Sequence, residues 1–293
     1  MSDTSGTVAV VIPARNEASR VALTVLAALR LPRVGPVIVV DDASTDSTAR
    51  VAEESGARVV RLPTRVGRTA AQQRGVDTVR ELAGTGRLCL LFLDADLGAS
   101  AAAAALLLGP VLAGTADLAL GVAAAHRTGT ASGGAASGGA ASGGAGAVGA
   151  GAGGAASGGA ASGSTGPGGT EAGGTGAGGA GAGGAAAAGA KGRAATRRAR
   201  AGVRRATGFE AATPLGGELC LSAAAFAAAG SGPAPVATGP GLIIDLLRQG
   251  FRAVEVPLDL DHRASRQGLR AALRELGRYR AVGRELSARG PAR

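Results

Sequence analysis

Residues 88–96 read Leu-Cys-Leu-Leu-Phe-Leu-Asp-Ala-Asp: six apolar residues in a row, then two carboxylates one residue apart. A short unbroken apolar run of this kind is the pattern of a strand buried on both faces of a parallel sheet. The carboxylates that follow it must then emerge together at the sheet edge. Upstream, the same pattern repeats. Val59 to Leu62 is a strand, and Arg68 to about Ala83 is the helix that leads on to residue 88. Val37 to Val40 is another buried strand, ending on Asp41 and Asp42. The turn of Ala43, Ser44, Thr45 and Asp46 then starts a helix that reaches Gly56. Thr7 to Pro13 is the first strand, and Val21, Val25 and Leu29 recur at helical spacing from about Glu17 until Pro32 stops them.

Strands alternating with helices of this length predict an α/β fold, a Rossmann-like, mostly parallel sheet with right-handed crossovers and flanking helices. Ligands of such sheets bind beyond the carboxyl ends of the strands. Three turns occupy those ends: Pro13 to Glu17, Asp41 to Asp46, and Asp94 to Asp96.

Downstream the composition changes. From Thr128 the chain runs in Ala, Gly and Ser repeats that cannot bury enough surface to offset the entropy of ordering them, and a disordered insertion or linker is expected there. Order is expected to resume near Lys191 with a basic helical stretch, RAATRRARAGVRRATG. A helix follows over about Leu242 to Gln249, ended by Gly250, and then a strand from Phe251. A basic helix spans roughly Gln267 to Ala288, with Leu269, Ala272, Leu273, Leu276, Tyr279 and Val282 as its apolar stripe. The reading is a first half over 1–127, a Gly/Ala/Ser-rich insertion over 128–190, and a second half over 191–293 with the basic C-terminal helix.

The chain of 293 residues has a formal charge of +10, and Lys191 is its only lysine. Arginine suits phosphorylated substrates or anionic lipid head groups. Nucleic acid is not expected as a partner, because neither a recognition motif nor an aromatic stacking run accompanies the charge. Cys89 and Cys220 sit in separate apolar runs without metal or disulfide spacing, which fits a reducing compartment. The N-terminus lacks the features of a signal peptide, and no stretch is long and oily enough to span a bilayer. A cytoplasmic location is expected, with peripheral contact at the inner face of the cell membrane left open. The oligomeric state is not readable.

Paired carboxylates such as Asp94 and Asp96 suit Mg2+ or Mn2+, which keep ligand positions for water and phosphate oxygens. Asp41 and Asp42 end another strand, where acidic residues accept hydrogen bonds from ribose or base. In this region Asp46 or Ser44 can equally cap the next helix.

Four motifs in order, VVIPARNE (10–17), VIVVDDASTDST (37–48), RVGRTAAQQRGV (65–76) and LLFLDADLG (90–98), resemble those of family 2 glycosyltransferases of the GT-A fold. The resemblance implies that 1–127 is the nucleotide-sugar-binding half and 191–293 the acceptor-side half, that Pro13, Ala14, Arg15, Asn16 and Glu17 lie along the nucleotide, and that Asp42 contacts base or ribose. It places Arg68 where a cation faces the diphosphate. Asp94, Ala95 and Asp96 match the metal-binding D-x-D, with Asp96 the better candidate for direct ligation.

The stretch GLIIDLLRQGFRAVEVPLDLDHR (241–263) is similar to the end of actinobacterial members and of glucosyl-3-phosphoglycerate synthases, where a late histidine joins the metal. His262 matches that place. Arg263 and the basic residues after it resemble the phosphate-serving turn of polyprenyl-phosphate sugar synthases. The implied activity is transfer of a sugar from a nucleotide sugar, UDP-glucose or GDP-mannose, to a phosphorylated or lipid-phosphate acceptor, assisted by Mn2+ or Mg2+. One departure stands out. Where inverting members carry an acidic residue, this chain has Gly239. Either the acceptor is already ionised, or Asp245 or Glu218 serves as base, or the chain is a degenerate enzyme that binds nucleotide sugars without turning them over.

Overall fold

A computed structural model describes residues 7–83, 88–124, 182–229, 236–262 and 269–289, excluding the side chains of 182–193 and 269–275. The apolar runs become strands at the expected places. The first half is β1 (Val8–Ala14), α1 (Val21–Leu29), β2 (Val34–Asp41), α2 (Thr48–Glu54), β3 (Arg58–Arg61), α3 (Arg68–Ala83) and β4 (Cys89–Phe92). A 3-10 turn over Gly98–Ala104 runs into α4 (Ala105–Leu112), and β5 (Leu118–Ala123) follows. The remainder is α5 (Ala182–Thr207), β6 (Leu219–Leu221), α6 (Ala223–Ala229), α7 (Pro240–Arg248), β7 (Ala253–Leu258) and α8 (Leu269–Ser287).

Among the described residues the strands form one sheet in the order β3-β2-β1-β4-β6-β5-β7. β1 pairs in parallel with β2 and β4, β2 with β3, and β5 with β7. β6 alone runs antiparallel, between β4 and β5. Alternate residues of each strand feed opposite layers. Val8, Val10 and Ile12 pack with α1, the 3-10 turn and α4. Ala9 and Val11 pack with α3, α5, α6 and α7. Both faces of the sheet are therefore covered, which is why its strands read as unbroken apolar runs.

β6 is three residues long, and the sequence reading passed over it, as it did β5. Yet β6 sets the site. Because it is antiparallel to both neighbours, its first residue lies level with the carboxyl end of β4: Leu219 pairs with Phe92 of β4, and with Leu120 within β5. Gly217 and Glu218, just before it, therefore stand beside Asp94. β7, parallel to β5 and paired through Leu258 with Ala123, delivers the segment to His262 at the same edge.

α5 begins at Ala182, ahead of the expected restart at Lys191. Most of the Ala/Gly block, 125–181, and Arg263 lie outside the described residues. α8 packs against α5 with Val282 buried, so this part of the expected apolar stripe serves the interior. Cys89 and Cys220 are both free, and burial pushes the Cys220 thiol well above its ordinary range, with Cys89 nearby adding to the shift.

Candidate active site

The loops after β1 and β2 clasp each other. Arg15 donates from Nη1 to the carbonyls of Asp42 and Ala43, at 2.7 and 3.1 Å. Asn16 accepts the Thr45 N–H on its Oδ1 at 2.8 Å, and the Glu17 N–H donates to Thr48 Oγ1 at 2.9 Å. Asn16 and Ala43 take left-handed backbone angles, φ 54 and 52, which turn the chain back after each strand. Ala14 is buried and Pro13 half-buried at the end of β1. Asp41 holds Ser44, and Asp46 accepts the Thr48 N–H at 3.0 Å; the N-cap of α2 is Ser47, without a side-chain cap bond, so neither Ser44 nor Asp46 takes the cap position expected of them.

Asp42 is almost fully buried. Its two carboxylate oxygens accept the N–H groups of Val66 and Gly67, at 2.6 and 3.0 Å. These residues lead directly into α3, so Asp42 fixes where Arg68 starts. The Arg68 guanidinium then pairs with Asp94. Burial works against its charge, but Asp94 first, with Glu218 and Asp96 behind it, holds the Arg68 pKa above its ordinary value. Gly217 makes this approach possible, because a Cβ there would lie 2.5 Å from Asp94 Oδ1 and 2.6 Å from Arg68 Nη2.

Asp94, Asp96 and His262 come together at the sheet edge, each offering one ligand atom, all within 4.8 Å of one another. His262 Nδ1 lies 3.5 Å from Asp96 Oδ1, and its Nε2 lies 3.6 Å from Glu218 Oε1. Two carboxylates and an imidazole are a donor set that Mn2+ accepts, and Mg2+ less readily through the nitrogen. A further observation points the same way. Glu218 is buried, and its Oε1 has no hydrogen-bond partner. Burial and the neighbouring Asp94 push its carboxyl up to about 7, against pulls from His262 and Arg68. The hydrogen-bonded Asp96 carboxylate raises the His262 pKa against burial, helped by Glu218 and Asp94. An edge this rich in acceptors is suited to a cation.

Two residues that the sequence reading did not single out hold the cluster in place. Arg20, at the start of α1, donates to the Asp96 carbonyl at 2.6 Å, to the Asp261 carbonyl at 2.8 Å and to the Asp261 carboxylate at 2.8 Å. It thus ties the D-x-D turn to the residue next to His262. Thr24, fully buried, donates to the Ala95 carbonyl at 2.9 Å and accepts the Gly98 N–H at 2.8 Å. Ala95 enters the site through its backbone, clamped from behind. A polar residue one turn from another on a helix otherwise tapped for apolar packing is the only trace of this pair in the sequence.

Asp245 takes a different place from the rest. It lies on α7 with its carboxylate held by Arg289 at 2.8 and 2.6 Å, and it is not among the residues that converge with Asp94. The α8 segment that supplies Arg289 packs on α7, a contact invisible in the local sequence. Glu218, the other acidic residue considered as a base, is the one brought to the cluster. At Gly239 the structure supplies a carboxylate from elsewhere: Glu285 of α8 accepts the Gly241 N–H at 3.2 Å and would lie 3.2 Å from a Cβ on Gly239. The start of α7 is joined to the site side of α3, since Gln72, one turn after Arg68, bonds Thr238 at 3.0 Å.

Residues 9–141 match the family model described as Glycosyl transferase family 2. Among solved structures, the chain is similar to glucosyl-3-phosphoglycerate synthase from Mycobacterium tuberculosis in complex with Mn2+, UDP and phosphoglyceric acid, at 23% identity and TM-score 0.59, over 97% of this chain and 78% of that one. It is similar to the same enzyme with Mn2+ and UDP-glucose, at 22% identity and TM-score 0.57, over 97% and 79%. The complex with Mn2+, UDP-glucose and glycerol 3-phosphate gives 22% identity and TM-score 0.57, over 97% and 80%. These likenesses establish the GT-A fold. No curated protein sequence matches the chain.

Proposed function

Taking the chain as a glycosyltransferase with a family 2 domain over residues 9–141, we propose a metal-assisted transfer centred on Asp94, Asp96 and His262. The donor is a nucleotide-diphosphate sugar of the UDP-glucose or GDP-mannose class, and the acceptor carries a phosphate, free or on a lipid. The observation that carries this reading is the convergence of three ligand atoms, from two distant segments, within 4.8 Å at the carboxyl edge of the sheet. Asp94, Asp96 and His262 would hold Mn2+ or Mg2+, whose positive charge would stabilise the departing diphosphate.

The chain's own residues do the rest. Asp42, Arg15 and the 13–17 turn form the wall against which base and ribose lie, and Asp42 sets the start of α3 so that Arg68 points across to Asp94. With a donor present, Arg68 exchanges that carboxylate for a diphosphate oxygen, which its guanidinium binds as a fork. Asp96 and His262 stay fixed by the Arg20 tie. An acceptor whose attacking oxygen belongs to a phosphate needs no base. For a hydroxyl acceptor a proton has to leave, and Glu218, beside His262 but outside the ligand set, is a carboxyl group already near neutral pKa. The complexes of the mycobacterial synthase with Mn2+, UDP-glucose and phosphoglyceric acid or glycerol 3-phosphate support a small phosphorylated acceptor as the first to try.

The test is release of nucleoside diphosphate from UDP-glucose and from GDP-mannose, each offered with 3-phosphoglycerate, glycerol phosphate or a polyprenyl phosphate, in Mn2+ and in EDTA. Release that requires the metal and one of the acceptors is expected. Nucleotide binding without release under any of these conditions would favour a non-catalytic nucleotide-sugar-binding protein.

A further inference from the structure

Outside the metal cluster, the charge of the molecule is concentrated in two helices. α5 carries seven basic residues (Lys191, Arg193, Arg197, Arg198, Arg200, Arg204, Arg205) and no acidic one. α8 carries five (Arg270, Arg274, Arg278, Arg280, Arg284) against Glu275 and Glu285. Their net charge of +7 and +3 equals the +10 of the whole chain, so everything else in the protein is balanced. The two helices pack against each other.

They do so at unusually close range. A Cβ on Gly202 of α5 would stand 2.4 Å from Leu286 Cδ2 of α8, and a Cβ on Gly283 of α8 would stand 2.7 Å from Arg198 Nη2 of α5. A glycine on each helix therefore lets the partner's long side chain lie flat along the crossing. Arg198 lies over Gly283 and also over the Tyr279 ring, 4.7 Å from its centroid, so its guanidinium is pre-positioned by a contact that leaves its N–H edge available.

Two adjoining cavities open along this crossing, of about 590 and about 770 Å3, which share Arg198 and Ser287. Arg205 lines the first with Ile244 and Leu286, and Arg280 and Arg284 line the second. Among the described residues, Arg205, Arg280 and Arg284 have no ion pair or hydrogen bond, in contrast to Arg204 and Arg289 nearby in the chain, each of which has an acidic partner. Arg198 shares one cavity with Arg205 and the other with Arg280 and Arg284, and an anion bound there relieves the repulsion among guanidinium groups that have no acidic partner.

We infer that the cleft between α5 and α8, lined by Arg198, Arg205, Arg280 and Arg284 with Ser287, is an anion site separate from the metal cluster, and that its ligand is a phosphate-bearing compound. The guanidinium forks match phosphate oxygens bidentately, and Ser287, which lines both cavities, adds a neutral hydroxyl donor. The apolar side formed by Ile244, Leu286 and Ala206 leaves room for a carbon skeleton next to the phosphate. That ligand is either a soluble phosphorylated compound or the head group of an anionic lipid. The inference is independent of the donor site, none of whose residues line the cleft.

The experiment uses the full chain in EDTA at low salt, as wild type, as the double variant Arg205→Gln/Arg284→Gln, and as Ser287→Glu, which adds a carboxylate to the lining shared by both cavities without altering an arginine. Calorimetric titration with inorganic pyrophosphate is run beside co-sedimentation with phosphatidylcholine vesicles made with and without phosphatidylglycerol. Binding of wild type to pyrophosphate, weakened at least about tenfold in both variants, as expected when a charge-assisted hydrogen bond is lost, identifies a soluble phosphate compound as the ligand class. Sedimentation with phosphatidylglycerol vesicles alone, reduced in both variants, identifies a lipid head group. UDP affinity in Mn2+ stays unchanged in both variants. Equal binding of either probe by wild type and variants, or no binding of either probe by wild type, overturns the inference.

Discussion

Gly217 stands where any side chain would strike the carboxylate of Asp94: its Cβ would lie 2.5 Å from Oδ1 and 2.6 Å from Oδ2. The backbone of the segment entering β6 is thus the floor on which Asp94 and Arg68 meet. Gly217→Ala should push both groups off this floor while leaving β6, which is paired on both edges, intact. The expected result is a fall in Mn2+-dependent nucleotide affinity of about tenfold or more, the size of effect seen when groups next to metal ligands are disturbed. Circular dichroism should be unchanged, and calorimetry reads the affinity.

Arg20 joins the D-x-D turn to the segment carrying His262, and Ser100 supports it by accepting the Asp261 N–H at 2.9 Å. Arg20→Ala should free His262 from Asp96. Mn2+ affinity, followed by the loss of the free-ion electron paramagnetic resonance signal, is expected to fall about tenfold to a hundredfold. Arg20→Lys should recover little, because one ammonium cannot reproduce contacts made from both Nη1 and Nη2.

Thr24→Val keeps the shape of the side chain and removes its hydroxyl. The Ala95 carbonyl and the Gly98 N–H then lose a buried partner. A loss of about 1–3 kcal/mol in urea unfolding is expected, with a denaturant slope unchanged from wild type.

The pH dependence of the metal-free protein has a definite sign. The Glu218 carboxyl is raised from 4.5 to about 7 in the fold, so its protonated form is favoured there, and the stability this contributes is lost as pH climbs from about 4.5 through 7. His262 is also raised from 6.5, so its contribution is complete below 6.5 and is lost as pH passes its higher folded value. Both act in the same direction. Thermal midpoints in EDTA should therefore fall as pH rises from 5 to 8, and Glu218→Gln should flatten the lower part of that fall. Saturating Mn2+ should reverse the trend, because its ligands must be deprotonated. A midpoint in EDTA that rises with pH across this range would show that Glu218 and His262 do not sit as described.

How far the sequence carried this account depends on which residues were local. The strands β1, β2 and β4 were legible because both of their faces are buried, leaving unbroken runs such as Leu90 to Leu93 with carboxylates directly after them. The pairing of Asp94 with Arg68 was not, because it depends on Asp42 bonding Val66 and Gly67 across 24 and 25 residues. β5, in Ala-rich sequence, and three-residue β6 fall below any periodic signal, and with them went the place of Glu218. The Arg20 to Asp261 contact spans 241 residues, beyond anything that spacing can show. Asp245 had the right chemistry for a base, but α8 turns Arg289 onto it, which no pattern around residue 245 announces.

Asp245→Asn tests that last point. It removes a pair between a partly exposed carboxylate and a mostly buried arginine, so a loss of up to about 1 kcal/mol in stability is expected. Mn2+-dependent nucleotide binding and turnover should remain within about twofold of wild type, the range of surface changes distant from the reacting groups. A loss of turnover with binding preserved would return Asp245 to the list of candidate bases.

The most direct test of the central claim is calorimetric titration of UDP and GDP, with and without Mn2+, into the wild type and Asp96→Ala. Binding of one nucleotide that requires Mn2+ and disappears in the variant is the predicted result, and it names the donor class. Binding that is the same with and without the ion, or that survives in Asp96→Ala, would contradict a metal-held diphosphate at Asp94, Asp96 and His262.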